Sequence, residues 1–246
     1  MLYGIISDVH GNLEASLAVK EFLQKCRVEK IIFLGDIVGY GVNPQECFDL
    51  FNSPETIFIK GNHEQALITG KYEGFTLDAK ISMDWTRKNV SEKYVEQMVK
   101  WKETLEIDDF VVCHGGLNNP LYFYTNSRTK AKKMFDEFEF KYCFVGHTHF
   151  PMAFVLDSGQ EIPSIIAEQA DGRIYMTLEE TKRYIINVGS VGQPRDGNPE
   201  ACCGIYDEES RMFQLWRIPY PVETTARKII EAGLPSSLAA RIVRGL

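Results

Sequence analysis

Five short apolar runs in this 246-residue chain each end in residues that can bind a metal ion. Ile5-Ile6 leads into Asp8-Val9-His10, and Ile31 to Leu34 leads into Gly35-Asp36. Ile57 to Ile59 runs into Gly61-Asn62-His63-Glu64, Phe110 to Cys113 into His114, and Phe144-Val145 into Gly146-His147-Thr148-His149. All five histidines of the protein stand at these ends. Apolar runs without alternation suit strands covered on both faces. In open α/β sheets the carboxyl ends of the strands line the ligand crevice. Such a chain is therefore constrained to a mainly parallel sheet whose strand ends bring one polar cluster together.

The intervening segments fit that constraint. Leu13, Leu17, Ala18, Phe22, Leu23 and Cys26 recur at helical steps, and Asn43-Pro44 can start a second helix running to about Phe51. The resulting β-α-β-α-β rhythm argues for helices on the faces of the sheet. Residues 64–106 are polar and mostly helical, long enough for a helical layer or cap over the crevice. A helix is expected near 127–138. Segments 152–156, 173–177, 183–188, 202–207 and 211–217 lie close together with turn residues between them, which suggests antiparallel pairing. Residues 223–245 read as two short helices split by Gly233-Leu234-Pro235. Without a linker or an internal repeat, residues 1–246 are expected to form a single α/β domain.

Composition excludes several classes. A formal net charge of −7 argues against long nucleic acid as a partner. No stretch approaches the roughly 20 apolar residues of a membrane span, so no membrane partner is expected. The apolar N-terminus is too short and too soon interrupted for a signal-peptide core. The six cysteines form no C-x-x-C spacing and mostly sit inside apolar runs, as reduced thiols do. Cytoplasmic localisation is the resulting expectation.

The polar cluster has a readable chemistry. Asp8, His10, Asp36, Asn62, His114, His147 and His149 supply oxygen and imidazole donors without thiolate, suiting Mn, Fe, Zn or Ni. They are too many for one tetrahedral ion and enough for two divalent metal ions sharing a carboxylate. Paired ions about 3.5–4 Å apart can clamp the attacking and leaving oxygens of a phosphoryl group. Taken singly, each histidine would more often be an ordinary hydrogen-bonded residue; the ordered set is what carries the inference.

The set D-x-H, G-D, G-N-H-E, H, G-H-x-H resembles the calcineurin-like metallophosphoesterase superfamily. The resemblance extends through Asn187-Val188-Gly189-Ser190-Val191-Gly192-Gln193-Pro194-Arg195 to the C-terminal helices, as in bacterial and archaeal predicted phosphoesterases. It implies a four-layer α-β-β-α sandwich of two mixed sheets flanked by helices. It also implies that Asp8, His10, Asp36 and His149 hold one ion. Asp36, Asn62, His114 and His147 would hold the second, with Asp36 bridging. The Asp-Arg pair by which protein phosphatases extend the G-D motif is replaced by Ile37-Val38-Gly39-Tyr40, which argues against a phosphoprotein substrate. Val188 stands where relatives often carry proline, and Glu64 replaces aspartate after G-N-H.

The activity expected is hydrolysis of a phosphate ester by a metal-activated water, with His63 as general acid or as the group that stabilises the leaving oxygen. Asn12 and Arg195 are candidates for holding the phosphate, with helix capping and a surface ion pair as their ordinary alternatives. Two divalent ions would reverse the local sign of the field, so a small phosphoester, a nucleotide or a dinucleoside polyphosphate suits the acidic chain. Trp85, Tyr94 and Trp101 could stack a base, although their helical spacing favours core packing. The oligomeric state is not legible, and a homo-oligomer stays open. A non-catalytic interaction scaffold of the same fold is the alternative from another class, disfavoured because every metal-site histidine is present. A zinc peptidase fails at Leu67, which occupies the second histidine position of an H-E-x-x-H motif begun by His63-Glu64.

Overall fold

The computed structural model describes residues 1–166 and 173–246. Its first strand, β1 (Leu2–Ile6), lies parallel to β2 (Lys30–Phe33), which lies parallel to β3 (Thr56–Phe58). The other flank of β1 pairs antiparallel with β11 (Ala201–Asp207), followed by β12 (Met212–Ile218) and β9 (Ile174–Thr177). A second sheet has β5 (Phe110–Cys113), β6 (Tyr142–Val145) and β10 (Lys182–Asn187) as parallel neighbours. Antiparallel β4 (Thr104–Ile107) forms one edge of it, and β7 (Met152–Asp157) and β8 (Ser164–Ile166) form the other.

The apolar runs lack alternation because both faces of each strand are covered, by different layers. Ile32 and Leu34 face the second sheet, where they meet Tyr3, Ile5, Phe110, Phe144, Tyr206 and Phe213 in one buried cluster. Their neighbours Ile31 and Phe33 face the helices, packing with Val19 and Leu23 of α1 (Leu13–Lys25) and Phe48 and Phe51 of α2 (Pro44–Phe51). On the far side Cys143 and Val145 meet Ala131, Met134 and Phe135 of α6 (Arg128–Glu137). This is the expected four-layer sandwich. Side chains of this size stabilise by about 1.5–3 kcal/mol each when fully buried.

The helical segment comprises α3 (Asn62–Thr69), α4 (Leu77–Asn89) and α5 (Glu92–Val99). It ends earlier than the sequence suggests, since residues 104–107 extend into β4 and pair with β5. β3 is half-buried along its length rather than fully buried, because it is the edge of its sheet. Tyr94 and Trp101 belong to the core: Tyr94 bonds Asp49, and Trp101 stacks on Phe48 and Phe58. Trp85 packs in a separate cluster where α7 (Val222–Glu231) and α8 (Ser236–Arg244) close over Tyr40 and Ala79. No described helix is long and apolar enough to cross a membrane.

Candidate metal centre

The three parallel strands of each sheet end at the same edge, and the polar loops follow those ends. Backbone bonds tie the loops to one another: Asp8 N–H donates to Gly35 O (3.0 Å), His10 N–H to Asp36 O (2.9 Å), and Gly146 N–H to His114 O (2.8 Å). Other bonds cross between the sheets, among them His147 N–H to Asp8 Oδ2 (2.9 Å) and Val191 N–H to Ser7 O (2.9 Å). Asp8, His10, Asp36, His147 and His149 all adopt φ between 48° and 64°, the left-handed region that non-glycine residues rarely enter. Strain of this kind clusters where surrounding structure fixes a functional geometry. Gly61 serves a different need, since a Cβ there would sit 2.1 Å from Asp36 Oδ1.

Within this frame the side chains form two adjoining sets. Asp8 Oδ1 lies 3.2 Å from His149 Nε2 and 3.7 Å from His10 Nε2, and the two Nε2 atoms are 3.3 Å apart. His114 Nε2 lies 3.0 Å from both Asn62 Oδ1 and His147 Nδ1. Asp36 Oδ2 faces both sets, 3.8 Å from His10 Nε2 and 3.3 Å from His114 Nε2. All seven residues are buried.

The tautomers follow from the outer partners. The Nδ1 atoms of His10, His149 and His114 meet the carbonyls of Val38 (2.9 Å), Gln193 (2.5 Å) and Leu34 (2.8 Å). A carbonyl only accepts, so each Nδ1 carries the hydrogen and each Nε2 turns a lone pair inward. The lone pairs of His10 and His149 thus converge with carboxylate oxygens, and a cation in place of the His114 proton would complete the donor set of a metal site. Carbonyl-anchored imidazoles are the usual outer support of such ligands. With His149 in that tautomer, Asp8 Oδ1 has no hydrogen-bond donor among the described residues.

Electrostatics point the same way. Burial and the His63 ring keep His10 well below the usual imidazole range, and burial and His114 pull His147 to about 3. Burial and Arg195 likewise lower His149. These rings stay neutral and able to ligate. His114 is the exception: burial pulls it down, but the Asp36 charge and hydrogen bond, aided by Asp8, hold it up at about 10. A positive charge is favoured at that nitrogen. Asp36 stays ionised despite burial because His114, His63 and His10 surround it.

His63 sits beside these sets rather than inside either. Its Nε2 is 3.9 Å from Asp36 Oδ2, and its Nδ1 is buried without a partner. Among the described residues, three groups of side chains could hold an ion by proximity: Asp8, His10, His149; Asp36, His114, His147; and His10, Asp36, His63. A cavity of about 130 Å³ opens above them, lined by Tyr40, His63, Phe75, Tyr124, Arg195 and Arg241 among others. Arg195 is therefore at the site. Asn12 is not brought to it: its Oδ1 caps α1 at Ala15 N–H (3.1 Å) and accepts from Thr225, while its Nδ2 donates to Gly192 O. Every polar atom of that buried amide is engaged, so the capping alternative describes it.

Some residues that shape the site carried no sequence signal of their role. Glu64 accepts backbone N–H bonds from Asp36 (2.7 Å), Ile37 (2.7 Å) and Gly61 (2.8 Å), locking two candidate ligand loops together. Asn187 donates to Gly146 O (2.6 Å) and Thr148 Oγ1 (2.9 Å), bracing the loop of His147 and His149.

Comparison with known proteins resolves the family. The model of the calcineurin-like phosphoesterase superfamily domain matches residues 1–211. The chain belongs to the calcineurin-like phosphoesterase superfamily. An uncharacterized protein of Methanocaldococcus jannaschii is 32% identical over 250 residues, covering 99% of this chain and 98% of its own. A metallophosphoesterase from Sphaerobacter thermophilus is 33% identical with a TM-score of 0.87, covering 100% of this chain and 99% of the other. A hypothetical protein from Pyrococcus horikoshii shares the fold at a TM-score of 0.80 and 16% identity, over 100% and 98% of the two chains. Members of this superfamily are metal-dependent phosphoesterases, and the buried Asp-His cluster of this member is able to bind metal.

Proposed function

We propose that this protein hydrolyses a small phosphate ester at a centre of two divalent ions. Asp8, His10, His149 and Asp36 hold one, and Asp36, Asn62, His114 and His147 hold the other. The observation that carries this reading is the position of Asp36 Oδ2, within 3.8 Å of donors from both sets. Oxygen and imidazole donors without thiolate suit Mn, Fe, Zn or Ni. When bound, such ions supply Lewis acidity, lowering the pKa of water and offsetting phosphate charge.

The chain's own groups do the rest. Arg195, whose Nη2 donates to Gln193 Oε1 (2.8 Å), is held at the cavity with its guanidinium able to grip phosphate oxygens. His63 lies between Tyr40 and Phe75, ring centroids 4.9 and 4.7 Å away, which fixes its plane against the cavity. Its ring N–H delivers a hydrogen bond or a proton to the leaving oxygen. Tyr124, its ring centroid 4.1 Å from that of His147, forms another part of the cavity wall. A cavity of about 130 Å³ is well below the roughly 300–1,000 Å³ of pockets that enclose drug-sized ligands. This favours the compact end of the substrate range over a dinucleoside polyphosphate.

The test combines metal analysis of the purified protein with a panel of monoesters, diesters, 2′,3′-cyclic nucleotides and dinucleoside polyphosphates, each assayed with Mn²⁺, Ni²⁺, Mg²⁺ and Zn²⁺. Metal-stimulated turnover of a compact ester, abolished together with metal binding in Asp36→Asn, is the expected result. No turnover of any ester with any metal would overturn the proposal.

A further inference from the structure

The cavity holds two arginines, and the sequence pattern accounts for only one. Arg195 follows β10. Arg241 comes from α8, brought there because α7 and α8 pack their apolar faces on Tyr40, Ala79 and Phe75. Among the described residues neither arginine pairs with an Asp or Glu side chain. Arg195 Nε is buried without a hydrogen bond, and Arg241 uses only its Nε, donating to Leu246 O (2.8 Å).

This is out of pattern for the molecule. The buried Arg217 pairs with Asp196, and the partly buried Lys228 pairs with Glu14 at 2.5 Å. Arg183 is satisfied by the carbonyls of Phe135, Phe138 and Phe140. Asp78 is the carboxylate whose charge Arg241 feels, but it forms no ion pair with it and accepts instead from Ser237 Oγ (2.6 Å). Burial and the charge of Arg195 both disfavour the cationic form of Arg241. Two half-buried guanidiniums that repel each other in an acidic protein mark a place for an anion. One anion is already assigned: the reacting phosphoryl, between Arg195 and the Asp-His cluster.

We propose that Arg241 reads a second anionic group on the substrate, so that this protein acts on compact phosphoesters carrying a further phosphate or carboxylate a few bonds from the reacting phosphorus. The first turn of α4 supports this position, since Thr76 and Ala79 line the same cavity and a helix start favours negative charge. The small cavity sets the reach: the second anion must sit on a short carbon chain. This inference rests on the phosphoesterase reading.

Phosphoglycolate and ethyl phosphate make a matched test, because both are two-carbon monoesters and differ by one carboxylate. With the Mn²⁺-loaded full chain, kcat/KM is expected to favour phosphoglycolate at least tenfold. In Arg241→Gln that preference should fall by about tenfold to a hundredfold, the worth of one hydrogen bond to a charged group. Arg241→Lys, which keeps the charge and the packing stem, should recover part of it. Calorimetry gives a readout independent of turnover: phosphonoacetate should outbind methylphosphonate, and Arg241→Gln should narrow that gap. A phosphate in place of the carboxylate, in ethylene glycol bisphosphate, shows which anion is preferred. Equal kcat/KM for the two esters, or a preference that survives Arg241→Gln, overturns the second-anion reading and leaves the phosphoesterase reading standing. No turnover of any ester overturns both.

Discussion

His10 and His149 face each other Nε2 to Nε2 at 3.3 Å, while the Nδ1 of each is tied to a backbone carbonyl. Both inward nitrogens therefore present lone pairs, and Asp8 Oδ1 adds negative charge 3.2 Å from one of them. Buried acceptors with no donor between them cost free energy. A cation converts that cost into coordination, so the folded state should be coupled to metal.

Metal removal should accordingly lower the melting temperature. At a free ion concentration about a hundredfold above its Kd, one bound ion adds about 2.7 kcal/mol. For a chain of this length that corresponds to roughly 5–10 °C. Calorimetric melts of chelator-stripped and Mn²⁺-reconstituted protein measure the difference. A melting temperature indifferent to metal would remove the coupling.

The carboxylate of Glu64 should be required as a carboxylate. It accepts from Asp36, Ile37 and Gly61 N–H together, and from Val38 N–H at a longer 3.3 Å. In Glu64→Gln one oxygen becomes an NH₂ that confronts these donors. The expected loss is about 1–3 kcal/mol, read from the urea midpoint, with weaker metal binding because the Asp36 loop loosens. Unchanged midpoint and metal affinity would mean that the loops hold themselves.

His63 is separable from the two ligand sets. His63→Asn should retain the metal content of the wild type and lower kcat by about 10²- to 10⁴-fold. Metal analysis beside kinetics decides between the two groupings the geometry offers. Loss of an ion with loss of activity would make His63 a ligand through the His10, Asp36, His63 group.

How much of this was legible in the sequence depended on whether the signal was local. The strand ends and their ligands were readable because each side chain follows its own apolar run within a few residues. β4 was hidden, since Thr104–Ile107 is a partly exposed edge strand with no continuous apolar run. Arg241 was hidden as well: on an amphipathic helix an arginine looks the same whether it faces solvent or a cavity, and only the docking of α7 and α8 on Tyr40 decides. The role of Glu64 does not show beyond its standing in place of aspartate after G-N-H, because bonds from a side chain to distant backbone leave no periodicity. Asn12 was readable both ways, and its place just before α1 fits the cap.

Two glycines allow the metal-holding and hydrogen-bonding functions to be separated by a single methyl group each. A Cβ on Gly39 would lie 2.2 Å from His63 Nδ1, and a Cβ on Gly61 would lie 2.1 Å from Asp36 Oδ1 and 2.6 Å from Asp36 N. Gly39→Ala also carries the strain of φ +85°, on the order of 1–2 kcal/mol, whereas Gly61 has an ordinary φ of −102°. The clash falls on a side chain outside both ligand sets, so Gly39→Ala should displace His63 from its packed position, keep its metal and lose at least tenfold in kcat. The Asp36 backbone is pinned by Glu64 and cannot yield, so Gly61→Ala should lose metal binding, activity and folding stability together. Metal content and kcat measured on both variants check the contrast; equal metal loss in the two would show that His63 and Asp36 move as one unit.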